Sequence, residues 1–170
     1  MKTYCKIFLI MAIGLLGLTS CQAKAPKGKL IYCSYASNGS AGLGKDYCEL
    51  IADPGTEPFV RVVLHQGNRF GDPEICEEYP ITAEDFQPLE EWLKSNKVYK
   101  LNGYNYEEPI SGGYGHRIYM EYDSGDKVDA RWYGSKIKDL AIRSYNYIEW
   151  FFKPWRERAE QENPGEGPNL

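Results

Sequence analysis

Short runs rich in β-branched and aromatic residues punctuate the first half of the chain, at 30–35, 47–52, 59–64 and 76–81. Runs of this length and composition, bounded by Gly, Pro, Asn and Ser clusters, predict strands. The turn-rich stretch 37–42 separates the first two, Asp53-Pro54-Gly55 precedes the third, and the irregular 67–73 precedes the fourth. Pro80 has no N–H to give a ladder, which marks the fourth as an edge strand. Phe86, Leu89 and Leu93 then recur three and four apart behind Thr82, Glu84 and Asp85. That predicts a capped amphipathic helix ending near Ser95-Asn96, with Pro88 placing its true start at about Asp85. Val98–Leu101 reads as a further strand. Residues 116–122 and 127–133 alternate around the turn Asp123-Ser124-Gly125-Asp126 and predict a hairpin, with Ile118, Met120, Tyr122, Val128, Ala130 and Trp132 on one face. After Gly134, Ser135 is the predicted cap of a second helix carrying Ile137, Leu140, Ala141, Tyr147, Ile148, Phe151 and Phe152 at a 3.6-residue period. Pro154 is expected to stop it.

Strands in runs, two helices and no βαβ alternation predict an α+β fold. The expected architecture is a mainly antiparallel sheet of about five to seven strands, with both helices packed on one face. One domain over 30–155 follows, with a charged, then Pro/Gly-rich tail over 156–170 that frays.

The N-terminus reads as an address. Lys2 and Lys6 precede an uncharged run of 12 residues, Ile7 to Leu18. A helical bilayer span needs roughly 20 residues, so this run suits a signal-peptide core over residues 1–20. It ends in Leu18-Thr19-Ser20-Cys21, the order of a bacterial lipobox, which predicts cleavage before Cys21 and acylation of its thiol. The competing reading is an ordinary secretory signal with a chance cysteine. Residues 21–29 then form a flexible, lipidated tether.

Composition adds limits. The 170 residues include 14 Tyr and 4 Trp, too much aromatic surface for a disordered chain. Removing residues 1–20 takes away two lysines and no acid, leaving 18 basic and 24 acidic side chains and a net charge of −6. That balance excludes a strong nucleic-acid binder.

Candidate chemistry is sparse. A hairpin centred on Ser40-Ala41 would oppose Cys33 and Cys48, within disulfide reach in an oxidising compartment. The competing reading is that both are small buried hydrophobes, and Cys76 is expected to be buried. Glu77-Glu78 and Glu107-Glu108 are neighbours on opposite strand faces, so neither doublet is a catalytic pair. Asp123 and Asp126 read as solvated turn acids without metal-ligand spacing. No catalytic residue, metal or cofactor is assigned. Tyr119, Tyr133, Arg117 and Arg131, with His116 behind the Gly-rich 112–115 segment, form the candidate binding face. Aromatic and arginine side chains together suit peptide or glycan surfaces. Tyrosine also favours any solvent-facing strand.

The order Leu101-Asn102-Gly103-Tyr104-Asn105, then Tyr119-Met120-Glu121-Tyr122-Asp123-Ser124-Gly125, then Gly134 and a helix resembles a group of small, uncharacterised Bacteroidota-type lipoproteins. The resemblance covers about a third of the chain, with Ser124 interrupting the group's Asp-Gly pair. It implies an outer-membrane address and carries no catalytic residues. In such lipoproteins surface export follows acids after the anchor cysteine; Lys24, Lys27 and Lys29 stand there instead, which implies a periplasm-facing protein. The expected function is a lipid-anchored envelope module binding a protein or glycan, with membrane contact through the lipid alone. Alternatives are a cell-wall or glycan hydrolase using His116 or a cleft acid, and an inhibitor or chaperone-like factor with a large apolar patch.

Overall fold

Alternation between apolar and polar positions gives the longer strands one face to bury, and seven strands lie side by side among the described residues. A computed structural model of the chain describes residues 24–38, 45–53, 55–65, 74–108 and 115–164. Residues 1–20, Cys21, the loop positions 39–44, 67–73 and 112–114 and the end of the expected tail, 165–170, lie outside the described residues.

The strands are β1 (Leu30–Asn38), β2 (Lys45–Ile51), β3 (Phe59–His65), β4 (Glu74–Pro80), β5 (Asn105–Glu107), β6 (Gly115–Tyr122) and β7 (Lys127–Tyr133). They form one sheet in the order β4-β3-β2-β1-β6-β7-β5. All pairings are antiparallel except β5 with β7. Two helices, α1 (Ala83–Ser95) and α2 (Asp139–Glu162), complete an α+β fold.

Both helices pack on the same sheet face. Cys33, Tyr35, Leu50, Val60, Val62, Ile118, Met120, Val128, Ala130 and Trp132 join Phe86, Leu89 and Leu93 of α1 and Ala141, Tyr145, Ile148 and Phe152 of α2 in one core. Tyr35, on the central strand, lies against the rings of Tyr145 and Phe152 at 5.5 and 5.6 Å. Burying Leu89, Ile148 and Phe152 completely contributes about 1.5–3 kcal/mol each. The opposite face carries Tyr32, Ser34, Ala36, Tyr47, Glu49, Arg61, Arg117 and Tyr119, and among the described residues no helix covers it.

Several local expectations are corrected. Val98–Leu101 is a 3-10 turn, entered through the left-handed Lys97 at φ 56°. Three residues per turn bring Val98 and Leu101 onto one buried side, which alternation in so short a run cannot distinguish from a strand. Helix α1 starts at Ala83, because Thr82 and Asp85 form a reciprocal capping box that outweighs the loss of one N–H at Pro88. Ser135 does not cap α2; its N–H and hydroxyl donate to Glu108 at 2.8 and 3.0 Å. Pro154 sits inside α2 and has no N–H to give the carbonyl of Trp150, a residue 63% exposed where water can reach it. The helix continues because its last turns are packed: Ala159 is fully buried, Tyr79 donates to Glu162 at 2.9 Å and Asn163 to Glu77 at 2.9 Å. Arg156 to Glu162 therefore belong to the domain and not to a fraying tail.

The stretch read as a free tether is docked as well. Lys27 N–H donates to Asp126 at 2.7 Å, Lys29 N–H to Asp123 at 3.0 Å, and the Ser124 hydroxyl to the Lys27 carbonyl at 2.6 Å. Leu30 N–H reaches Glu90 of α1 at 3.0 Å. Asp123 and Asp126 are thus receptors for a backbone segment, not merely solvated turn acids.

Candidate functional site

Register decides which predicted residues meet. On β6 and β7, Arg117, Tyr119, Arg131 and Tyr133 share the parity of the open face. His116 has the opposite parity and turns to the helix side, 4.5 Å from the Tyr145 ring and 5.8 Å from Trp132. The predicted five-residue face is therefore four residues and a histidine behind them. Among the described residues the buried His116 Nδ1 has no hydrogen-bond partner, and burial pulls its pKa below the usual imidazole value. Among the described residues no acid or thiol is hydrogen-bonded to it.

The cysteine expectation also changes. Cys33 stands opposite Leu50, and Cys48 opposite Tyr35. The true register is two residues away from one centred on Ser40-Ala41, so the two cysteines are diagonal neighbours, about 7–8 Å apart at that step of an antiparallel pair. Both thiols are free and buried, and desolvation pushes Cys33 up to about 12 and Cys48 up to about 11. Cys76 is exposed on β4, opposite Val63, rather than buried.

At the middle of the open face, β1 carries only Ser34 and Ala36 between larger neighbours. Tyr32, Tyr47, Glu49, Arg117 and Tyr119 surround them and enclose a depression of about 340 Å³. Glu49 forms its most buried wall, 6% exposed. A carboxylate this desolvated needs partners. Arg61 supplies a 2.6 Å contact and is itself held by Glu78 at 2.7 Å, while the Tyr32 hydroxyl donates to Glu49. Burial first, and the Glu49 carboxylate second, hold the Tyr32 phenol protonated. Tyr32 meets Tyr119 edge-on at 5.8 Å, and the Arg117 guanidinium lies 4.9 Å over the Tyr119 ring. The Tyr119 hydroxyl donates to Glu121, and Lys127 pairs with Glu121 at 2.7 Å.

A second cavity of about 330 Å³ lies at the β5, β6 and β7 end, where Asn105, Glu107, His116, Arg117, Arg131 and Tyr133 converge with four neighbours. Arg117 lines both cavities, so they adjoin. Tyr119 belongs only to the first, and Tyr133 only to the second.

Sequence reasoning missed Glu49, Tyr32, Tyr47, Ser34 and Ala36. A signal existed: Glu49 is an acid inside a strand run, and Ser34-x-Ala36 places two small residues on one face of the first strand. Their importance depends on β1 being central, which pairing order alone reveals. Among the described residues no group of three or more His, Cys, Asp or Glu side chains could hold a metal ion, and no helix is long and apolar enough to cross a membrane. Ile142 and Trp150 are the exposed large hydrophobic residues among those described. No family model matches the chain, and no curated protein matches it.

Proposed function

We propose that this chain is a lipid-anchored protein of the bacterial envelope whose open sheet face binds a glycan. The observation that carries the binding half is the depression floored by Ser34 and Ala36. Strands two apart in a sheet stand about 9.5 Å from one another. A ring stacked on an aromatic face sits about 3.5–4 Å from it. Small side chains on β1, with Tyr47 and Glu49 on one side and Arg117 and Tyr119 on the other, therefore leave the width of one ring. Tyr47 and Tyr119 form aromatic walls, the latter beneath the Arg117 guanidinium, while Ser34, Glu49 and Arg117 offer hydrogen bonds to hydroxyls. About 340 Å³ also suits a small-ligand site, which spans roughly 300–1,000 Å³. A protein partner would instead cover about 800 Å² of this face.

The address rests on the charged start, apolar run and Leu-x-Ser-Cys order ending at Cys21, together with the resemblance in the C-terminal half. Six residues from Cys21 to the docked Lys27 reach at most about 21 Å, so a lipidated chain would hold its domain close to the bilayer. Two measurements test the reading. Cys21→Ala moves the protein from the membrane to the soluble fraction; unchanged membrane retention refutes the anchor. A saccharide panel retains the wild type and loses Tyr47→Ala and Tyr119→Ala; capture of a protein alone from envelope extract refutes the glycan.

A further inference from the structure

Arg117 and Arg131 face one another directly across β6 and β7. Like charges in directly opposed positions destabilise a sheet. One carboxylate offsets the repulsion: Asp129 Oδ1 and Oδ2 accept from Arg117 Nε and a terminal nitrogen at 2.9 Å each. The same two oxygens accept from Arg131 at 3.3 and 3.0 Å. Two guanidiniums on one carboxylate leave the trio with a charge of +1. Each guanidinium has five N–H donors and spends two on Asp129, which leaves three for other acceptors in a fixed plane. Tyr119 stacks beneath Arg117, and Arg131 is 58% exposed, so one cation is fixed and the other open.

We infer that Arg117 and Arg131, braced by Asp129, form an oxyanion subsite adjoining the Ser34/Ala36 depression, and that the glycan taken there is an acidic saccharide. This rests on the glycan reading above and adds the ligand's charge. Arg117 lines both cavities, so a ring over Ala36 can place its acidic substituent on the arginine pair. Asn105 and Glu107, on the far wall of the second cavity, provide a donor and an acceptor for hydroxyls of the neighbouring sugar. Planar guanidiniums suit bidentate recognition of a carboxylate or sulfate, which a lysine would not provide.

The test uses detergent-solubilised full chain and four probes: oligogalacturonate, dextran sulfate, unmodified dextran and inorganic sulfate. The expected result is at least tenfold tighter binding of an acidic saccharide than of dextran. Oligogalacturonate against dextran sulfate identifies which oxyanion is taken. Arg131→Gln, at an exposed position, should weaken acidic binding about tenfold, leave the melting temperature unchanged, and lower the salt dependence. Arg131→Lys keeps the charge and should restore only part of the affinity. Equal binding of charged and neutral chains, or an unaffected Arg131→Gln, overturns the subsite and leaves the glycan reading standing. Binding of inorganic sulfate without any saccharide upholds the subsite and overturns the glycan. Binding of none of the probes overturns both.

Discussion

Gly28 packs so closely against Asp123 that a Cβ at position 28 would overlap the Asp123 carboxylate, and Gly28 itself holds a φ of +80°. The contact lets Lys27 and Lys29 present their amides to Asp126 and Asp123. Gly28→Ala should therefore undock the segment at a cost of about 1–2 kcal/mol, a factor of about 5–30 in its open fraction. Trypsin cleavage after Lys27 and Lys29 should accelerate accordingly. Docking also depends on charge. The Lys27 amide, then the Ser124 hydroxyl, hold the Asp126 carboxyl below its ordinary range. A lowered folded-state value means docking is complete above about pH 4 and is lost as pH falls through that value. Cleavage equally fast in wild type and variant would contradict the docked geometry.

Thiol accessibility separates the three described cysteines. In protein lacking residues 1–23, Cys76 should react quickly in the native state. Cys33 and Cys48 should be protected by burial and by raised thiol pKa values of about 12 and about 11. Unfolding in denaturant without reductant should expose three thiols. A count of one would restore the Cys33–Cys48 bridge.

His116 gives the domain a pH dependence with a definite sign. Burial lowers its folded-state pKa, so the unfolded chain binds the proton more readily. Stability from this group is full above about pH 6.5 and declines as pH falls towards the lowered value. Denaturant midpoints between pH 5 and 7 should show the decline, and His116→Phe, which fits beside Tyr145 and Trp132, should abolish it. A native His116 titrating at or above 6.5 would contradict the buried placement.

Much of the fold is legible in residue order. The six longer strands, the β6–β7 hairpin with its turn, and both helices follow from period and punctuation. Departures occur where a tertiary contact decides between locally equal choices. Val98 and Leu101 suit a strand or a 3-10 turn until the core takes both. Pro154 would end an isolated helix, but Ala159 and the contacts at Tyr79 and Glu77 carry α2 past it. Cys33 and Cys48 fall on one face in either register, and a shift of two residues decides whether they oppose. The binding face was half legible: parity gives Arg117, Tyr119, Arg131 and Tyr133 and would have excluded His116. Glu49, Ser34 and Ala36 needed the strand order, because β1 comes to lie between β2 and β6 only in the folded sheet.

Filling the depression tests the glycan site without disturbing the core. Ser34→Trp places an indole over the floor between Glu49 and Tyr119 on the open face, away from the core. Titration calorimetry with the saccharide selected by the wild type should show binding lost at least tenfold in Ser34→Trp, with the melting temperature within a few degrees of the parent. Undiminished saccharide binding by a folded Ser34→Trp protein would contradict a glycan site on this face.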